Sequence, residues 1–416
     1  MTAPLRSNAP ASPVVAGAGD GPLGRRPHPS APPLSHWRRT PADVTAWFDP
    51  TEVARGRAYN RPLERLGRVR LALGAAVLVA FVTGQAAPRL LGALELPRWE
   101  LEVVAVVVAL HLATLVYAPW FGAHRALLYD KRWRLSTQTP KGFVVDQVKQ
   151  LVVGLVAAVA VAVPLYGVIR ATDAWWLFGW LVVAGFTLLV SFLYPVVVAP
   201  IFNRFVPLAD ERLAERLLAV AERAGLDIDR VLVADASRRS RVGNAYVAGL
   251  GRTRRVVLFD TILEWPPEVI EQVVAHELGH WRHAHLRRRL PVALATQLVA
   301  FVAAWAGLGW GPLLEVAGVG GAGDPASLPL LVAVFPLGLV LSSVVTSWLS
   351  RVDERQADLY ALEVLGAPGA LIELFRLLAR RNNTDVDPSR WKRLTASHPP
   401  IAERMAMAAA WVPGWV

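Results

Sequence analysis

The sequence predicts a mainly α-helical, polytopic membrane protein with about six transmembrane helices and a hydrophilic segment that holds a small β-sheet. Three observations predict it. Of 416 residues, 54% are hydrophobic and the mean hydropathy is +0.37, which is too apolar for an ordinary water-soluble domain. Six apolar runs are each long enough, or nearly so, to cross the ~30 Å hydrocarbon core. The dense Lys/Arg blocks fall at the ends of those runs on one side only, as the positive-inside tendency requires.

The elements follow in order. Residues 1–40 are rich in Pro, Gly, Ala and Ser and read as a disordered tail. No early apolar run resembles a cleavable signal. A short helix is expected from Thr40, followed by an Arg-rich stretch. An N-terminal membrane domain over 41–200 then carries spans at about 71–87, 101–119, 151–169 and 175–200. A basic connector, Ala118 to Gln150, separates the second span from the third. Trp175, Trp176 and Trp180 are expected interface anchors.

Residues 201–289 are soluble in character. They contain an amphipathic helix (Ala209 to Ala224), a strand (Arg230 to Asp235) and two further strands, Asn244 to Ala248 and Arg254 to Phe259. The last two are joined by a hairpin-like turn at Gly249-Leu-Gly-Arg-Thr. Pro266 to His285 reads as a helix. Two more spans occupy 290–349, at Leu290 to Gly311 and Leu328 to Leu349, and residues 350–416 return to charged, helical character. No internal repeat is present. Six spans place both chain ends and the 201–289 segment on the basic, cytoplasmic side.

Charge and cysteine count narrow the function classes. A net charge of +11 would suggest a nucleic-acid partner in a soluble protein. Here the basic residues flank apolar runs, so membrane topology accounts for them and no nucleic acid is expected. The chain has no Cys, which excludes disulfides, zinc–thiolate sites and a Cys nucleophile. Any metal site must use His and carboxylates.

The chemistry gathers at His276-Glu-Leu-Gly-His280. Two His four apart share one helical face and can hold one Zn²⁺ through imidazole nitrogens. Glu277 is then within reach of an activated water as general base. A catalytic zinc usually takes a third protein ligand. Glu354 and Asp358 lie four apart on a helix after the sixth span, and the hairpin of the fifth and sixth spans returns that helix to the side of the two His. Glu354 is the expected ligand and Asp358 the acceptor from a ligand His, with adjacent Asp353 the competing ligand. The alternative for Glu354 is a surface ion pair with Arg351 or Arg355. His283 lies on the face of His276, so a three-His site is geometrically open, but His283 and His285 also suit a membrane surface before Arg287-Arg-Arg. His111, inside the second span, is a functional candidate or a hydrogen-bonding partner for a neighbouring helix. His398, before the rigid Pro399-Pro400, is placed to donate to an oxyanion, and Arg404 to fix a carboxylate or brace Asp358. The plainer reading of both is a helix cap and a surface Arg.

Taken together, several segments resemble the type I CAAX prenyl protease family of integral-membrane zinc metallopeptidases. They are Tyr194-Pro-Val-Val-Val-Ala-Pro-Ile-Phe-Asn-Arg-Phe-Val-Pro-Leu208, Ser237 to Gly251, Val257-Leu-Phe-Asp-Thr-Ile-Leu263, the His276 helix, Glu354-Arg-Gln-Ala-Asp358, and Ser397-His-Pro-Pro400 with Arg404. The likeness runs from about Asp49 to Met407. It implies a zincin-like metalloprotease domain, one zinc per chain on His276, His280 and Glu354, and Glu277 as general base. It implies that Asn244, Ala245 and Tyr246 form an edge strand that pairs with substrate backbone. His398 and Arg404 would contact the substrate and transition state, and a large water-filled chamber would lie among the membrane helices. Eukaryotic members usually have seven spans, against six here.

The expectation is a membrane-embedded zinc endopeptidase that cuts near the C-terminus of prenylated CAAX-type or other membrane-associated substrates. Its partners are a peptide or protein, with or without a prenyl group, and the lipid bilayer. The Arg/Ala-rich composition points to the plasma membrane of a high-GC bacterium, with the site open to the cytoplasm. Two alternatives stay open: a heat-shock-type quality-control metalloprotease, and a non-enzymatic membrane protein that binds lipidic or peptide cargo.

Overall fold

A computed structural model describes residue 40 and residues 42–249 and 254–413. The expected tail and the tip of the 249–253 turn lie outside the described residues. The chain is mostly helical with one small mixed sheet, as its sequence predicts.

The short helix expected from Thr40 is only a 3₁₀ turn at Val44–Ala46. The first long helix, α1 (Pro50–Thr83), starts instead at a capping box, in which Asp49 accepts from the Thr51 and Glu52 amides and Glu52 accepts from the Asp49 amide. The Arg-rich stretch is therefore part of the helix that carries the first apolar run. That helix stops at Thr83, short of the expected 87, because Gln85 turns into the left-handed region at φ 52°. α2 (Ala86–Leu94) and α3 (Trp99–Leu115) follow. Beyond α3 the chain bends by 44° into Ala118–Arg132.

The expected connector is largely helical as well. α4 (Pro140–Ala171) begins inside it, where Thr139 Oγ1 accepts from the Gly142 amide and Pro140 is preset for the first turn. α5 (Trp175–Leu193) packs back on α4. Trp175 and Trp180 are not lipid-facing anchors: Trp175 is buried edge-on to Phe301, and the Trp180 indole donates to the Leu294 carbonyl at 2.9 Å. Burying Trp175 and tying the half-buried Trp180 to a neighbouring helix outweighs their pull toward the interface. His111 lies 3.0 Å from the carbonyl of Val107 on its own helix rather than on a neighbour.

The hydrophilic segment packs α6 (Glu211–Arg223), capped by Asp210, against a four-stranded sheet. Its strands are β1 (Phe205–Pro207), β2 (Arg230–Ala234), β3 (Ala245–Ala248) and β4 (Arg255–Phe259), in the order β1-β2-β4-β3. β2 and β4 are parallel; β3 runs antiparallel to β4, with Ala245 opposite Leu258 and Tyr246 opposite Val257. β3 is thus a sheet edge. Asn244 lies just before it and accepts from the Phe259 amide.

α7 (Pro267–Arg282) ends where Ala284 adopts φ 50°, and α8 (His285–Leu308) leaves in a new direction. α9 (Leu328–Leu365) bends by 48° between Val340 and Ser342, leaves the apolar region and carries on through Glu354 and Asp358. α8 and α9 approach closely at Gly338, where a Cβ would lie 2.5 Å from Ala300 Cα. α10 (Pro368–Arg381), α11 (Arg390–Thr395) and α12 (Ile401–Ala410) complete the chain. The core beneath the sheet includes Leu217, Leu258, Ile270, Leu278, Leu362 and Met405. Among the described residues, four helices are long and apolar enough to cross a membrane, or up to six if each bent pair counts as one span. An apolar cavity of about 560 Å³ lies among α3, α4, α5, α8 and α9, with His111 on its wall.

Candidate metal centre

Periodicity alone puts His276 and His280 on one face of α7. The third group arrives because α7 and α9 can touch. Gly279, between the two His, has no side chain, and a Cβ there would lie 3.1 Å from Ala357 Cα and 3.2 Å from its carbonyl oxygen. That close approach sets Glu354, one turn before Ala357 on α9, opposite the His pair. His276 Nε2 lies 3.4 Å from Glu354 Oε2, and His280 Nε2 lies 3.4 Å from Oε1. One ligand atom from each residue lies within 4.8 Å of the others.

The charge pattern suits a cation. The two Nε2 atoms face each other at 3.2 Å, so a proton or a metal cation must separate their lone pairs. Glu354 Oε2 is buried and accepts no hydrogen bond. Burial would lower the His276 pKa, but Asp358 and Glu354 overcome it and hold it at about 10. Burial, with His276 beside it, pushes His280 down to about 3. The pair thus shares a single proton, and a divalent ion could take its place among two imidazoles and a carboxylate.

The surroundings are fixed by α9 and α12. His276 Nδ1 lies 2.8 Å from Asp358 Oδ1. Arg404 clamps the same carboxylate with Nε at 2.7 Å and Nη2 at 2.6 Å, while its guanidinium lies 4.3 Å from the Phe375 ring centre. Arg404 is buried, not a surface Arg. His398 Nε2 lies 3.4 Å and Arg404 Nη2 3.6 Å from Glu354 Oε2. Asp353, the competing ligand, points elsewhere and is paired with Arg288 and Arg289. The alternative partners of Glu354 are also occupied: Arg351 donates to the Leu394 and Ala396 carbonyls, and Arg355 lies 3.9 Å from Glu403.

A recess of about 210 Å³ joins these groups. Asn244 and Ala245 form one wall, with Glu277, Glu354, His398 and Arg404 also facing it. Burial pushes the Glu277 carboxyl up to about 7, with Glu354 adding to the shift and His276 opposing it. A carboxylate tuned to that range can both take and return a proton near neutral pH. Tyr246 is turned to the other sheet face, where it packs edge-on against Phe259.

One partner escapes sequence reasoning. His285 Nδ1 lies 2.8 Å from His280 Nδ1. It does not reach the ligand side, so a three-His site is not formed. In a continuous helix, residues five apart do not face each other; the left-handed Ala284 swings His285 back under His280. The hydrogen-bond directions are then determined. Offering Nε2 to a cation leaves His280 Nδ1 as the donor to His285. The His285 proton must sit on Nε2, which donates to Gln356 Oε1 at 3.0 Å. Gln356 Nε2 donates in turn to His283 Nδ1 at 2.9 Å. His285→Ala should weaken metal binding by about 10–100-fold, the usual cost of removing a ligand's outer partner. Competition with a chromophoric chelator measures it, and unchanged affinity would remove the orienting role.

Comparisons with known proteins find relatives of the chain. A family model described as Peptidase family M48 matches residues 207–412. A second, described as CAAX prenyl protease N-terminal, five membrane helices, matches residues 33–204. The chain is 29% identical over 382 residues to the uncharacterized metalloprotease YhfN of Bacillus subtilis, covering 89% of this chain and 88% of that one. It is 29% identical over 322 residues to CAAX prenyl protease 1 of Saccharomyces cerevisiae, covering 71% and 69%. The crystal structure of S. mikatae Ste24p shares the fold with a TM-score of 0.77 at 22% identity, covering 90% of this chain and 93% of that one.

Proposed function

The chain belongs to peptidase family M48, with the CAAX prenyl proteases, and is an integral-membrane metalloendopeptidase; from that premise we propose that it uses one zinc ion held by His276, His280 and Glu354 to cut the C-terminal segment of membrane-associated substrates, prenylated CAAX-type chains among them. The observation that carries the reading is the convergence of ligand atoms from His276, His280 and Glu354 at a recess that Glu277 also lines, beside an open sheet edge. When bound, zinc supplies the Lewis acidity that makes water a nucleophile near neutral pH and polarises the scissile carbonyl.

The chain's own groups do the rest. Asn244 and Ala245 present an edge to which an extended peptide adds as a further strand. Tyr246 holds that edge in register through its packing on Phe259. Glu277 takes the proton from the attacking water and returns it to the leaving amine. His398, at the mouth of the recess, donates to the oxyanion. Asp358 fixes the His276 ring with Nε2 toward the ligand side, and Arg404 holds Asp358 ionised. The apolar cavity among α3, α4, α5, α8 and α9 suits an isoprenoid chain by its chemistry. The basic blocks at the α1, α4 and α8 termini orient the site toward the cytoplasm of a bacterial cell.

The test is cleavage of a farnesylated CAAX-type peptide by detergent-purified protein, with a chelator as control. Cleavage just after the prenylated Cys, abolished by the chelator, is expected. Absence of cleavage in protein that carries one zinc, together with cleavage of unmodified membrane proteins, would replace the prenyl substrate with a quality-control role.

A further inference from the structure

A third cavity, of about 390 Å³, lies where α1 meets α11 and the loop before it. It shares no lining residue with the metal recess or the apolar cavity. Five cations line it, Arg57, Arg61, Arg390, Lys392 and Arg393, against the three carboxylates of Glu64, Asp385 and Asp387. The balance is five minus three, or +2. Three of the cations are committed internally. Lys392 lies 2.6 Å from Glu64 and 3.3 Å from Asp385, Arg393 lies 3.1 Å from Asp387, and Arg57 pairs with Asp387 as well. Among the described residues, Arg61 and Arg390 make no ion pair. Two guanidiniums lining one cavity, one from α1 and one from α11, beside a held network, leave a place for a doubly contacted anion.

The level of this cavity in the membrane says which anion. α11 is fastened to α9 where α9 leaves its apolar run: Ser347 Oγ donates to the Thr395 carbonyl at 3.0 Å, and Arg351 donates to the Leu394 and Ala396 carbonyls. On α1 the cavity residues Arg57, Arg61 and Glu64 come about two to four turns before the apolar run that starts near Leu71. α11 also carries Trp391, 76% exposed, and Leu394, 45% exposed, three residues apart on one face, and Trp348 of α9 is 50% exposed. An exposed Trp beside unpaired Arg is the arrangement expected at the headgroup layer, with the ring in the acyl boundary and the charges in the phosphate layer.

We propose that this cavity binds the phosphodiester headgroup of an anionic phospholipid, held by Arg61 and Arg390, with Trp391 and Leu394 against the acyl chains. The site is structurally joined to the metal recess, since α11 runs through Ala396 and Ser397 directly into His398. The membrane placement it needs is independent of the substrate reading, and binding is read without proteolysis.

The experiment is native mass spectrometry of the full detergent-purified chain, titrated with phosphatidylglycerol and with phosphatidylcholine of the same acyl length. Arg61→Glu/Arg390→Glu should weaken the phosphatidylglycerol adduct about tenfold or more and leave the phosphatidylcholine adduct unchanged. Arg61→Gln/Arg390→Gln should give the same ordering with a melting temperature unchanged from the parent chain. Arg212→Glu/Arg223→Glu on α6 makes the same change of net charge in the soluble segment and should leave both lipids unaffected. An equal loss in that control would overturn the site in favour of a general charge effect. Unchanged phosphatidylglycerol binding in the Arg61/Arg390 variants would overturn it outright. Displacement of the lipid by millimolar inorganic phosphate would overturn the lipid assignment in favour of a free-anion site.

Discussion

Glu277→Gln is expected to lower turnover by roughly 100- to 10,000-fold, the range over which a positioned general base contributes, while the protein keeps its metal. Glu277 sits beside the converging ligand atoms, not among them. It precedes Leu278 on α7, so its side chain leaves the face shared by His276 and His280 and enters the recess beside them. It is not among the three groups whose ligand atoms converge. Gln keeps the size and the hydrogen-bonding reach of Glu but cannot accept a proton at neutral pH. The loss should therefore appear in kcat with little change in KM, because a substrate added to β3 as proposed would be held by backbone bonds rather than by Glu277. A wild-type rate in this variant would remove Glu277 from the proton transfer. The pH profile carries the same information. Burial holds the metal-free carboxyl at about 7, and a cation held by His276, His280 and Glu354 pulls it lower. The base is active when ionised, so in the loaded protein the acid limb of kcat/KM should fall below 7, and Glu277→Gln should lack that limb.

How much of this was legible in the sequence depends on whether a residue acts through local periodicity or through tertiary approach. The His276–His280 pair is a consequence of helical spacing, and so is the shared face of Glu354 and Asp358. The return of α9 to the site follows from counting two apolar runs between them. Gly279 is different. Its absence from the recess lining hides its part, and only the 3.1 Å approach to Ala357 shows that a side chain there would separate α7 from α9. His285 could not be found at all from spacing, because its contact needs the left-handed backbone at Ala284, and Ala has no sequence signal for that conformation. The Trp anchors failed for a related reason. Hydropathy says that Trp175 and Trp180 lie near a membrane boundary, but only packing decides whether they face lipid or Phe301. The Arg-rich stretch before the first span is helical because Asp49, Pro50 and Glu52 start the helix twenty residues before its apolar part. Arg404 could be read either as a surface charge or as a brace, and the bidentate contact with Asp358 selects the brace.

Glu354→Gln should separate the ligand set from the catalytic base. Here the loss of bound metal is expected to exceed the roughly 10–100-fold that follows from removing an outer partner, and turnover should vanish with it. Gln offers one neutral oxygen where Glu354 offers two charged ones, each 3.4 Å from a His Nε2. The change also leaves Arg404 Nη2, 3.6 Å from Glu354 Oε2, with Asp358 as its remaining close carboxylate. That arrangement still balances the buried guanidinium, so the helix contacts should survive and the defect should be confined to the metal. Zinc content by elemental analysis, taken beside the melting temperature of metal-stripped wild type and variant, checks both parts. Near-equal apo melting with zinc well below one per chain is the expected pair of results. Full zinc retention would mean that another carboxylate completes the site. Asp353 is the nearest in sequence, and its ion pairs with Arg288 and Arg289 would first have to break. Breaking them would take the buried Asp353 carboxylate away from two half-exposed guanidiniums, a cost that favours Glu354 over Asp353 as the proposed ligand and keeps Asp353 as the anchor of α9 to α8.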